Sequence, residues 1–348
     1  MLADSTHRQN NMNSRMRILS IDGGGVRGIV AARILCEVER KIQEITGDVE
    51  ARIADYFDLV AGTSAGGLIA ASALVPDEKN LGRARYTVRD GLDHYLNYAG
   101  RIFRLPLTRR IRTVGGLSDE KYPTDGLLEC LNVAFGDLWL SDLLRPCLIA
   151  AYNVERCETT FFTQHTAKER PSRDYRLVDV GRAATAAPTY FEVAMIASRT
   201  GVSSPYIDGG VFANNPAKCA LTEASKYFNA QQRGVSLLSI GTGRARPGYS
   251  YDEMKDWGSV TWGRPLVDIM MAAGSETVDY ECRLFMEQAS VESAYLRIDA
   301  DLGQLPTHTG ADMDDASPTT LQALCELGER TCKHWQQPLE RFLHKMLA

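Results

Sequence analysis

Ser64 lies in "GTSAG", Gly62 to Gly66, between the apolar run Phe57 to Ala61 and a string of small and aliphatic residues, Gly67 to Val75. The stretch fits G-x-S-x-G, in which a serine on a sharp strand-to-helix turn exposes its hydroxyl with a helix N-terminus behind it. Glycine, serine and threonine also build ordinary turns, so the pentapeptide leaves two readings open: a nucleophile, or a small residue that the turn needs. A second stretch, "DGGGVRG", Asp22 to Gly28, follows the apolar run "MRILSI". Consecutive glycines let the backbone turn its N–H groups inward and the following helix adds its positive end, so this loop suits an anion. That anion is either a bound phosphate or the oxyanion that develops on a carbonyl during acyl transfer. The loop lacks G-x-x-x-x-G-K-[ST] and meets G-x-G-x-x-G only through Gly23, Gly25 and Gly28. A third stretch, "DGGVFANNP", Asp208 to Pro216, reads by itself as an Asp-Gly turn. With "PYI" before it and an amphipathic helix after it, Asp208 is expected at a strand end, facing the same sheet edge as the other two loops.

In the chain order serine, aspartate, histidine, the base would be His308, His334 or His344. His334 and His344 fall in a C-terminal amphipathic pattern, and His308 in the loop "PTHTG". If no histidine serves, Asp208 takes the Ser64 proton directly and the two residues form a dyad. No His/Asp/Glu cluster has ligand spacing, so neither a metal nor another cofactor is expected. Arg27, inside the glycine loop, either holds the loop or meets a lipid phosphate. "RIFRLPLTRRIRTVGG" interleaves Arg101, Arg104, Arg109, Arg110 and Arg112 with apolar side chains, which suits a phospholipid surface, a phosphorylated ligand or a solvated face with snorkelling arginines.

These residues need elements to hold them. "MRILSI", then glycines, then apolar positions recurring from Ile29 to Ile45 up to Gly47, read as strand, turn and helix. "FDLVAG" into "TSAGGLIAASAL" repeats the pattern, and "PCLIAAY" and "VSLLSIG" supply further buried strands. The alternation predicts an α/β class with a mostly parallel central sheet between helices, three layers in all. Residues 82–135 show no single period and are expected as helices and loops outside the sheet, a cap or insertion. "RAATAAPTYF", Arg182 to Phe191, reads as a closely packed helix of small residues ended by proline. After about residue 264 a helical extension is expected, with a strand at "AYLRI" and a last helix begun by Ser317-Pro318.

Composition sets the outer bounds. The chain has 348 residues, 44% of them hydrophobic and 24% charged, enough for one large core, and the absence of a linker predicts a single domain over 16–348 behind a disordered tail, 1–15. A net charge of −5 excludes the global basic field that drives binding to nucleic-acid polymers. The polar N-terminus lacks the apolar core of a secretory signal, which predicts a cytoplasmic protein, and eight cysteines without C-x-x-C pairs predict reduced thiols.

"DGGGVRG", "GTSAG", "RAATAAPTYF" and "DGG" occur in the order and spacing of the patatin-like phospholipase family, which the chain resembles over roughly Arg17 to Ile240. The resemblance implies a serine lipase acting on acyl esters of membrane glycerophospholipids. It gives Ser64 the role of nucleophile and Asp208 that of its base, and makes Gly23, Gly24 and Gly25 the oxyanion hole. Peripheral action at the inner membrane surface would follow. Some bacterial members degrade membrane phospholipid in antiphage signalling when a cyclic dinucleotide switches them on. The resemblance therefore raises a cyclic dinucleotide as an activator, with the Arg101 to Gly116 patch as its place, and leaves a homo-oligomer open. The rivals that the residues allow are a Ser-Asp-His triad using His308 and a phosphate-binding protein without turnover.

Overall fold

The computed structural model describes residues 15–80, 82–105, 121–230, 234–244, 250–289, 293–307, 309 and 312–348. His308, Arg109, Arg110 and Arg112, together with the N-terminal tail up to residue 14, lie outside them.

Chain order explains the architecture. Strand β1 (Met16–Ile21) passes through the glycine loop into helix α1 (Gly28–Thr46). β2 (Leu59–Thr63) turns sharply at Ser64 into α2 (Ala65–Ser72). Two helices follow, α3 (Val88–Ile102) and α4 (Asp125–Phe135), in the region expected to be helical. β3 (Cys147–Asn153), β4 (Glu158–Thr163), α5 (Leu177–Ala184), β5 (Ala194–Ala197) and β6 (Ser203–Asp208) come next. After the short α6 (Gly210–Ala213) and α7 (Ala217–Phe228), β7 (Val235–Ile240), α8 (Ser259–Gln288), β8 (Ala294–Ile298) and α9 (Pro318–Leu347) complete the chain. Ser317 caps α9 by accepting the Thr320 N–H, as the Ser-Pro signal predicts.

β2, β1, β7 and β8 form a parallel array that β3 joins through β2. The central strands β1, β2 and β7 read as continuous apolar runs because helices cover both of their faces. One core fills the space between the sheet and helices α1 to α5 and α9; a second, smaller one lies on the other face under α7 and α8. The expected three-layer α/β/α fold is what the chain adopts. α3 and α4 contribute Leu92, Ile102, Leu127 and Leu131 to the larger core.

At β3 the sheet changes direction. β4 pairs antiparallel with β3 along its whole length, while β2 takes the other edge only as far as Thr63 opposite Ala150. β6 then runs antiparallel along the edge that β2 leaves, with Asp208 opposite Ala151. Successive residues of β3 thus carry the last residue of β2 and the last residue of β6.

Candidate active site

That register brings Ser64 to Asp208. Ser64 follows Thr63 directly and adopts φ 53° and ψ −127°, a conformation that L-residues seldom hold and that costs on the order of 1–3 kcal/mol. The elbow depends on close backbone approach: a Cβ on Gly62 would overlap the backbone of Gly66, and one on Gly66 would overlap the Ile21 and Asp22 carbonyls. Glycines flank Ser64 because nothing larger fits between the two strand ends. α2 starts at Ala65, so the positive end of the helix lies behind the hydroxyl.

Asp208 is buried, and its Oδ1 accepts the Gly210 N–H at 2.7 Å. Burial is the largest influence on its carboxyl and raises the pKa from 3.8 to about 6, while hydrogen bonds from the Ser64 hydroxyl and the Gly210 N–H pull the other way. No cation figures among these influences. A carboxylate that titrates near 6 is a stronger base toward a serine hydroxyl than an exposed aspartate, and it is still ionised at neutral pH. Among the described histidines, His94 bonds the Cys130 carbonyl, His165 pairs with Glu223, and His334 and His344 sit on α9.

The glycine loop meets the elbow from the β1 side and is tied down by four other segments. Gly23 N–H donates to the Asn214 carbonyl at 2.9 Å, and the Gly23 carbonyl accepts the Thr242 hydroxyl at 2.7 Å. Tyr95 Oη donates to the Gly25 carbonyl at 3.0 Å, and Val26 N–H to the Met313 carbonyl at 2.8 Å. Gly23 therefore spends its N–H on the scaffold, and of the expected oxyanion donors Gly24 and Gly25 are those that line the cavity with Ser64. Gly25 has φ +55°, and a Cβ there would collide with the Met313 carbonyl. Beneath the loop, Arg297 grips Asp22 through two bonds of 2.7 and 2.6 Å and also reaches Ser239 and Asp299. Burial opposes the charge on Arg297, but Asp22 and Asp299 override it and hold the guanidinium protonated.

Ser64, Asp208, Gly24 and Gly25 open into a cavity of about 120 Å³. Its other walls are almost wholly apolar: Leu68, Ile102, Phe103 and Leu127 on one side, Val211, Met271 and Met313 on the other. Thr185, Ala187, Pro188, Tyr190 and Phe191 complete it. The last group corrects the reading of "RAATAAPTYF". Helix α5 stops at Ala184, and residues beyond it form a loop that walls the cavity.

A second, polar cavity of about 260 Å³ adjoins the first and shares Tyr190, Met271 and Met313 with it. Arg27 lines it with Asn214, Arg244, Asp299 and Arg297, and its Nε is buried without a hydrogen-bond partner. Burial lowers the Arg27 pKa, and Asp268, Asp299, Tyr190 and Asp312 counter it. Arg101 pairs instead with Glu129 on α4, and neither it nor Arg104 lines a cavity with Ser64. Sequence reading missed Arg297, Tyr95 and Thr242. Only the first left a signal, a charged residue inside the apolar strand "AYLRI".

The architecture is a three-layer α/β fold with a serine on the sharp turn between β2 and α2. The model for the patatin-like phospholipase family matches residues 19–221, and the chain belongs to that family. It is 32% identical to patatin-like protein 1 of Arabidopsis thaliana over 91% of this chain and 81% of that protein. A Solanum tuberosum relative, named "Probable inactive patatin-3-Kuras 1", is 28% identical over 96% of this chain and 90% of its own. Human GIVD cytosolic phospholipase A2 shares the fold at a TM-score of 0.50 and 10% identity, covering 97% of this chain and 61% of that one. Family membership supports lipid acyl hydrolysis.

Proposed function

We propose that the protein is a phospholipase of the A type that uses Ser64 and Asp208 as a dyad. The observation that carries this reading is the strand register that seats an elbow serine against a buried, cation-free carboxylate at the base of an apolar cavity. The acyl chain lies in the cavity, and the ester carbonyl sits over Ser64. Ser64 Oγ forms a bond to the carbonyl carbon while its proton passes to Asp208. Gly24 and Gly25 N–H groups receive the negative charge on the carbonyl oxygen, a contribution of on the order of 10²–10³ in rate for each such donor. The tetrahedral adduct collapses, Asp208 gives its proton to the departing glycerol oxygen, and a lysophospholipid leaves. Water then attacks the acyl-enzyme, its proton goes to Asp208, and Ser64 recovers that proton as the fatty acid departs.

Arg27 faces the polar cavity next door, where a headgroup phosphodiester attached to the same glycerol would lie. Fatty-acid release from phospholipid vesicles by wild type, Ser64→Ala and Asp208→Ala tests the proposal. Loss in both variants is expected, and wild-type activity in either overturns it. Labelling of Ser64 by a fluorophosphonate separates an activated serine from an inert turn, and so decides against the phosphate-binding alternative. The same assay with and without cyclic dinucleotides tests the activator: full activity without any nucleotide removes it.

A further inference from the structure

The mouth of the apolar cavity is bordered by α6 and the N-terminal half of α8, which pack together. Val211 and Met271 line the cavity from these two helices. Their neighbours face solvent: Phe212 is 37% exposed, Leu266 45% and Met270 58%, and Val211 itself is 40% exposed. A surface helix ordinarily turns its apolar stripe to the core. α8 does so through Met271, Ser275, Cys282 and Met286, yet it also places Leu266, Met270, Tyr280 and Leu284 on the opposite side. Among the described residues no helix is long and apolar enough to cross a membrane.

We propose that α6 and α8 form the face by which the protein seats on an electrically neutral lipid bilayer, with Phe212, Leu266 and Met270 entering the acyl region around the cavity mouth. The inference rests on the acyl-hydrolase reading for why the mouth must meet lipid. It goes beyond that reading by naming the surface and the charge of the bilayer. Continuity is the first argument, because the exposed side chains extend the cavity lining outward on two separate elements. Charge is the second. The described exposed side of α8 carries Glu276, Glu281 and Glu287 against Arg283, the reverse of the lysine- and arginine-rich faces that anionic lipids attract. Asp268 lines the polar cavity, and Asp279 is held by Tyr295 and Arg283. A second copy of the chain on the same face would close the mouth, so a bilayer is the occupant that leaves substrate access intact.

The test uses Ser64→Ala protein, which cannot consume its target, and sedimentation with phosphatidylcholine vesicles. Leu266→Glu with Met270→Glu is expected to cut vesicle partition about tenfold or more. The same pair in an otherwise wild-type chain should leave hydrolysis of a soluble short-chain nitrophenyl ester within about twofold, since neither side chain lines a cavity. Glu276→Lys with Glu281→Lys should create binding to phosphatidylglycerol vesicles that the parent lacks. Unchanged partition in the leucine and methionine variant overturns the proposal. A dimer that this variant dissociates without change in partition also overturns it, in favour of a second copy. If the parent binds vesicles, the variant does not, and wild type cleaves no ester, the docking face stands while the acyl-hydrolase reading falls.

Discussion

Asp22 and Asp208 are both buried aspartates at the ends of strands of one sheet, and they do opposite things. Asp22 faces the Arg297 guanidinium in a two-bond pair, so its charge is spent on holding the glycine loop in place. Burial lifts both carboxyls from 3.8 to about 6, with Arg297 pulling against it at Asp22, whereas Asp208 has only a backbone N–H and the Ser64 hydroxyl for company. The lesson is that burial by itself does not make a base. A buried carboxylate is placed to act as one when its partner is a hydroxyl it can deprotonate rather than a cation that holds it.

The comparison breaks most sharply at the residues themselves. Asp208→Asn or Ser64→Ala is expected to lower kcat on the order of 10⁴-fold or more, because members of such a unit fail together. Asp22→Asn should do the reverse in kind: weaker folding, read as a lower Tm, with activity falling only as far as the loop loosens. Equal loss of turnover with unchanged Tm in both variants would erase the distinction. Arg297→Ala should be harsher on folding than Asp22→Asn, costing about 3–5 kcal/mol, since it leaves Asp22 charged and unpaired in the interior. Denaturant titration reads this directly.

The pH profile sharpens the contrast. In the proposed mechanism turnover needs ionised Asp208, so kcat/KM should fall tenfold per unit as pH drops below about 6. Stability moves the other way. The folded state keeps the Asp208 proton from 3.8 up to about 6, where the unfolded chain has already lost it, so ionising Asp208 erodes stability as pH rises through that window. Above it the whole cost is present. Asp208→Asn, inactive, should therefore be more stable than wild type at pH 8 by roughly 1–3 kcal/mol and little different below pH 4. An Asn variant less stable than wild type at pH 8 would mean that the carboxylate is satisfied after all.

Much of this was legible in the sequence where chemistry and secondary structure share one short stretch. "GTSAG" and "DGGGVRG" each carry a strand end, a turn and a helix start, and β1, β2, β7 and β8 fall where their apolar runs predict. What sequence did not carry is what tertiary register creates. Gly23 looks like its two neighbours until the Asn214 carbonyl takes its N–H, and "RAATAAPTYF" looks helical until the loop beyond Ala184 is needed as a cavity wall. The meeting of Ser64 with Asp208 depends on two strands sharing one edge of β3, 144 residues apart in the chain, and no local pattern encodes that.

The smallest expected effect tests how finely the loop must be held. Tyr95 reaches from α3 to the Gly25 carbonyl and is otherwise a wall of the cavity. Tyr95→Phe removes one of two hydrogen bonds to a carbonyl that keeps the Gly28 N–H, a loss of about 0.5–1.5 kcal/mol in folding. If the bond only stabilises the fold, Tm falls and kcat is unchanged. If it also aims the Gly24 and Gly25 N–H groups, kcat falls several-fold with KM unchanged, because the oxyanion exists only in the transition state. The second outcome is expected, since the bonded carbonyl belongs to one of the two glycines proposed as the donors. It would place Tyr95 with Arg297 among the residues that hold the loop, on the side of Asp22 rather than of Asp208.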